Sequence, residues 1–193
     1  LLQKQVMSIP DTIRKIEAWQ ERIGAVAPAG EIALPSPTIN APGNLDISRM
    51  FTRSDWVGRP APDFTLKDVD GQEVALKALR GKTVLLTFWA TWCAPCRTEM
   101  PQVQALHREF EDKGLVVVGI NYSESAEISR SYFSQEKLTF RNVLDANNRT
   151  HEQYDGGGIP KVVLIDKDGI VRFFQHGYNT RQDFRAEVKK LGL

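Results

Sequence analysis

Cysteine is scarce in this chain: its 193 residues contain two, Cys93 and Cys96. A structural disulfide framework uses several cysteines at wide spacing. A bridge across so small a loop adds little chain-entropy stabilisation. Histidine is also scarce. His107, His151 and His176 lie far apart in sequence. They do not pair with the cysteines at the spacing of a zinc site, which needs about four ligands. No metal and no other cofactor is expected. Neither sign of charge is in excess, with 25 Lys and Arg against 24 Asp and Glu and a formal net charge of +1. That balance gives no field to attract nucleic acid or an anionic membrane surface. No apolar run reaches the roughly 18 residues of a transmembrane helix. The chain begins at Leu1 rather than Met, as a processed protein does, and no signal peptide or anchor is read within it.

What is present fits a soluble α/β protein with an appendage. Hydrophobic residues make up 41% of the chain and charged ones 25%, which suffices for one ordinary core. Residues 1–55 are expected to form an N-terminal extension. In it, Ile13, Ile16, Ala18, Trp19 and Ile23 recur at helical spacing over Pro10 to Gly24, with Ser8 and Asp11 as candidate caps. A Pro- and Gly-rich arm follows, through Pro28, Gly30, Pro35, Pro37, Pro42 and Gly43. Residues 56–193 are expected to form the main domain. Phe64 to Lys67, a turn at Asp70-Gly71 and Glu73 to Leu76 read as a hairpin. Thr83 to Trp89, Leu115 to Ile120 and Val162 to Ile165 are apolar runs that suit strands buried on both faces. Helices are expected over residues 95–112, Ser125 to Glu136, Asn148 to Tyr154 and Arg181 to Leu191. A turn at Lys167-Asp168-Gly169 leads into a strand over Ile170 to Phe174. This order predicts a central mixed sheet flanked by helices.

The segment Trp92-Cys93-Ala94-Pro95-Cys96-Arg97 follows the first buried strand and opens a helix. Thiol–disulfide exchange proceeds through a thiolate, and a helix N-terminus offers free N–H groups and a partial positive charge. Cys93 is therefore the expected nucleophile, with its thiol pKa lowered. Cys96, one turn further in, is expected to be more buried and to resolve the mixed disulfide. Pro95 fits the first helical turn, whereas Pro101 lies inside the helix and is expected to kink it. The competing reading is a pair of cysteines used as small apolar residues.

Phe88 to Arg97, then Glu99-Met100-Pro101, resembles the TlpA/ResA-like branch of thioredoxin-fold thiol–disulfide oxidoreductases. Gly58 to Leu66, Leu79 to Lys82, Gly158-Ile159-Pro160 and Val163 to Gly169 extend the resemblance across residues 57–191. The resemblance implies a thioredoxin-like fold and a location outside the cytoplasm. It implies partner proteins with cysteine pairs or disulfides, apocytochrome c being a frequent one, and an upstream thiol protein as electron donor. It also implies a cis Pro160, with the Ile159 backbone pairing with an extended partner chain. Glu99 matches an acidic position that influences the cysteines in this branch; the alternative is an exposed carboxylate stabilised by the helix dipole. Thr87 stands where cytoplasmic thioredoxins hold a buried Asp, and Gly119 where they hold its Lys. Proton transfer at Cys96 must then use water, Glu99 or another group.

Trp92, Ala94, Pro95, Ile159 and Pro160 are the expected partner-binding residues. Trp89 is expected in the core and His107 on the surface. Asp155-Gly156-Gly157-Gly158 is read as backbone room near the redox pair, since no Gly-Lys-Ser/Thr follows to make a phosphate loop. Three other functions are weighed. A peroxiredoxin-like peroxidase shares the PAPDFTL lead-in, but its Pro-x-x-x-Thr-x-x-Cys pattern fails at Leu86 and Ala90. A copper-handling relative has three residues between its cysteines, where this chain has Ala94 and Pro95. A redox-inert binding module of the same fold is the remaining alternative.

Overall fold

The computed structural model describes residues 56–193; the helix and arm expected within residues 1–55 lie outside them. Strands β1 (Thr65–Asp68), β2 (Glu73–Ala75), β3 (Thr83–Trp89), β4 (Leu115–Tyr122), β5 (Arg141–Asp145), β6 (Lys161–Ile165) and β7 (Val171–His176) form one sheet in the spatial order β2-β1-β5-β4-β3-β6-β7. β3, β4 and β5 run parallel, and every other pairing is antiparallel. Four helices follow from the sequence breaks: α1 (Ala94–Phe110), α2 (Ala126–Gln135), α3 (Arg149–Gln153) and α4 (Phe184–Lys189).

The continuous apolar run of β3 exists because both faces of the sheet are covered. Leu85 and Trp89 point to one face, where Met100, Val103, Leu106 and Phe110 of α1 and Phe184 and Val188 of α4 meet them. The alternate residues Val84, Leu86 and Phe88 point to the other, against Val74, Leu76, Val118, Ile120, Val163 and Tyr154. Each such side chain contributes on the order of 1.5–3 kcal/mol by leaving water. The two cysteines belong to the α1 side of this core.

Three expectations need adjustment. The returning hairpin strand ends at Ala75, and Leu76–Leu79 is a 3-10 turn that buries Leu76 and Leu79. The last helix starts at Phe184 rather than near Arg181, because the Asp183 carboxylate accepts from the N–H groups of Arg185 and Ala186 and caps it there. Strand β5 is absent from the sequence reading. Its segment, Arg-Asn-Val-Leu-Asp, carries little apolar signal. Two of its polar residues are nevertheless buried with partners: Asn142 donates to Ser129 Oγ at 2.8 Å, and Asp145 accepts from the N–H groups of Thr150 and His151.

Candidate redox site

The parallel pairing of β3 with β4 carries the chain out of the sheet at Trp89 and turns it into α1. Cys93 is the N-cap of α1, and its Sγ accepts from the Cys96 N–H at 3.2 Å. Pro95 stands in the first turn, where its missing N–H costs nothing. No acidic residue lies in that turn, so the positive end of the helix acts on Cys93 unopposed from within the turn. α1 continues through Pro101 to Phe110. Cys93 and Cys96 are joined as a disulfide, S–S 2.02 Å. Cys96 is fully buried and Cys93 is 4% exposed, so the expected asymmetry in burial is small in the oxidised pair. Access comes from the flanks, where Trp92, Ala94 and Pro95 are all exposed.

Trp92 is 63% exposed and stands edge-on to Tyr122, which in turn meets the His151 ring. Ile159 packs on the core group that holds both cysteines, and the Ile159–Pro160 bond is cis. The antiparallel register that sets Lys161 opposite Phe88 brings this segment to the same end of the sheet as the cysteines. Trp89 lies in the core against Tyr132 and Phe133, as expected.

Glu99 is not an exposed carboxylate. It is 2% exposed, neither oxygen has a hydrogen-bond partner, and burial pushes its pKa from 4.5 to about 7. It sits one helical turn beyond Cys96. Thr87 and Gly119 are register partners on β3 and β4. Thr87 is buried with an unpartnered hydroxyl. The sheet offers no ionisable group at that pair.

Three groups at this end of the sheet escaped the sequence reading. The Glu124 carboxylate accepts from the Thr91 N–H at 2.9 Å, from the Thr91 hydroxyl, and from Asn121 Nδ2 at 2.7 Å. It anchors the loop that delivers Cys93. His151 is 2% exposed, with its Nε2 2.9 Å from the Gly157 carbonyl. Lys161 is fully buried. Glu124 sits far in sequence from Thr91, and an isolated Glu, His or Lys gives no sign in the sequence that it will be buried. His107 is partly buried rather than on the surface, paired with Glu111 at 3.1 Å and edge-on to Phe140. The glycine run is likewise more than open space, because side chains bind its backbone directly. Among the described residues, no group of His, Cys, Asp and Glu is arranged to hold a metal ion, and no helix is long and apolar enough to cross a membrane.

A cysteine pair at a helix N-terminus on a mixed sheet, facing a cis-proline segment, defines a thioredoxin-fold thiol–disulfide oxidoreductase. Residues 57–174 match the AhpC/TSA family, and the chain belongs to it. Thiol-disulfide oxidoreductase ResA of Bacillus anthracis is 33% identical over 135 residues, 70% of this chain and 78% of ResA. Thioredoxin-like protein YneN of Bacillus subtilis is 36% identical over 135 residues, 68% of this chain and 78% of YneN. A thioredoxin-family thiol:disulfide interchange protein of Chlorobium tepidum superposes with a TM-score of 0.62 at 28% identity, covering 72% of this chain and 99% of that one. The thioredoxin domain of a thiol-disulfide oxidoreductase from Bacteroides vulgatus gives 0.62 at 27% identity, with the same coverage. The enzyme is a thiol–disulfide oxidoreductase of the ResA-like kind. Leu86 and Ala90, both fully buried, occupy the places where a peroxidatic motif would need Pro and Thr.

Proposed function

We propose that this enzyme reduces disulfides of partner proteins outside the cytoplasm, with electrons supplied by an upstream thiol protein. Cysteine pairs awaiting haem attachment in apocytochrome c are one such substrate. The observation that carries the reading is the disulfide capping α1 between exposed flanks, in the core group on which Ile159 packs. Cys93 attacks the partner disulfide as a thiolate, and one partner sulfur leaves as a thiolate. Cys96 then attacks Cys93, forming the intramolecular disulfide and expelling the second partner sulfur. The electron balance is one disulfide reduced for one dithiol oxidised. Trp92, Ala94 and Pro95 form the surface the partner meets, and the Ile159 backbone receives its extended chain. Glu99, poised near neutral pH by burial, takes and returns the Cys96 proton, a task that suits a group with a pKa near the working pH. Residues 56–193 form the catalytic domain, and residues 1–55 are an appended extension.

The test is the reduction potential of the pair against a dithiothreitol or glutathione series, with Cys93→Ser as control. A potential well below about −200 mV supports a reductase, and one near about −120 mV marks a disulfide donor. Absence of a reversible two-electron couple ends the enzymatic reading.

A further inference from the structure

Lys161 is the first residue after the cis-proline segment, and its ammonium is sealed inside the protein. Buried lysines are rare unless their donors are met. Here the ammonium reaches three backbone carbonyls: Tyr154 at 2.5 Å, Gly156 at 2.6 Å and His151 at 3.5 Å. These carbonyls belong to the C-terminal end of α3 and the chain just beyond it. Such carbonyls lack helical partners and carry the negative end of the helix. The His151 carbonyl already accepts from the N–H groups of Tyr154 and Gly156. Lys161 is the partner of the other two. The aliphatic stem crosses the core, and the ammonium stands 5.1 Å from the centre of the Phe88 ring.

The segment so held is Asp155-Gly156-Gly157-Gly158, whose three consecutive glycines give it freely rotating backbone. Lys161 grips it at Gly156. His151 grips Gly157, and the Gly158 N–H donates to His176 Nε2 at 3.0 Å. The next residue is Ile159. A segment that would otherwise sample many conformations is delivered to the disulfide in one.

We propose that Lys161 is a positioning residue for protein substrates: by clamping the glycine loop from within, it fixes the Ile159 backbone where a partner chain pairs. This rests on the reading of Ile159 as the docking edge. Lys161 touches neither sulfur nor substrate, so its effect is confined to substrates that use that edge.

Charge enters the same geometry. An ammonium offers three donors, but a neutral amine offers two and loses the charge-assisted strength. Burial lowers the Lys161 pKa to about 8, opposed by the charges of Asp155 and Glu152. Tyr154 and His151 stand at the end of α3, and His176 is its register partner on β7. The His151 pKa is lowered, first by burial and further by Lys161 itself, so its ring is neutral above pH 7. The clamp therefore weakens as pH rises through about 8.

The experiment compares two disulfide substrates with the reduced, full-length enzyme. One is an extended synthetic peptide carrying an oxidised Cys-x-x-Cys pair, and the other is hydroxyethyl disulfide. Lys161→Met is expected to lower kcat/KM for the peptide on the order of 10- to 100-fold, as misplacement of a docking group does. Most of the loss should fall in KM, with hydroxyethyl disulfide and the reduction potential unchanged. Lys161→Gln, which keeps two N–H donors, should fall between. In the wild type, the ratio of peptide to hydroxyethyl disulfide rates should decline above pH 8, a readout that needs no variant to fold. Equal losses for both substrates, no loss for the peptide, or a pH-independent ratio would overturn the proposal. A wild type that exchanges with hydroxyethyl disulfide but not with the peptide overturns the docking reading beneath it as well.

Discussion

Replacing Glu99 by Gln should stabilise the oxidised protein, and by an amount that grows with pH. Glu99 is 2% exposed with both oxygens unpartnered, and burial raises its pKa from 4.5 to about 7. The folded protein thus holds this proton more tightly than the unfolded chain does. The contribution of Glu99 is intact below pH 4.5, declines as pH rises, and is lost above about 7. At about 1.36 kcal/mol per pKa unit, the buried ionised carboxylate costs roughly 3 kcal/mol at pH 8. The amide of the Glu99→Gln variant keeps the shape and one carbonyl without the ionisation. The difference between the two proteins should be near zero at pH 4.5 and approach about 3 kcal/mol in favour of the variant at pH 8. Urea unfolding at a series of pH values, with the disulfide intact in both proteins, measures it. All other titrating groups are common to the pair and largely cancel. A difference that stays flat between pH 4.5 and 8 would refute a buried, raised carboxyl at position 99.

Two further outcomes follow from the site. Cys96→Ser should accumulate a covalent mixed disulfide through Cys93, visible by mass spectrometry after incubation with an oxidised protein substrate, because the resolving thiol is gone. Trapping through position 96 in Cys93→Ser at the same rate would reverse the assigned roles. Gly157→Ala should destabilise the protein by about 1–2 kcal/mol from its left-handed backbone alone. The added Cβ would also meet His176 Cε1 at 2.6 Å and disturb its bond to the Gly158 N–H; an unchanged thermal midpoint would count against the loop conformation.

How much of this was legible in the sequence depends on whether a residue's environment is local. Thr83–Trp89 announces itself because a strand covered on both faces needs every position apolar. The Cys93–Cys96 motif and its place at a strand-to-helix junction are likewise written in adjacent residues. β5 was hidden because Asn142 and Asp145 look like loop residues until Ser129 and the start of α3 are brought to them. Glu124 reaches back to Thr91 across the β3–β4 pairing, a contact no spacing rule anticipates. Lys161 was hidden for another reason, since its partners are near in sequence. Charge argues for the surface, and only the carbonyls of a folded loop make its burial tolerable. For Glu99 the sequence left two environments open, and burial removes the exposed one.

The location of Glu99 also bears on how the pair handles protons. In the reading proposed here, the buried acid of the site comes from α1 and not from the sheet, where Thr87 faces Gly119. Glu99 follows Cys96 by three residues, so the two share one side of the helix whatever the sheet does. The N-terminus of α1 favours a thiolate at Cys93, while a charged Glu99 disfavours one nearby. In that reading, negative charge is easiest to hold on one group at a time. In the proposed mechanism, consuming the Cys93 thiolate in the mixed disulfide leaves Glu99 as the acceptor of the Cys96 proton at the step where the resolving thiolate is required. A carboxyl held near 4.5 would have no proton to return at neutral pH, and the raised value near 7 lets one group serve both directions.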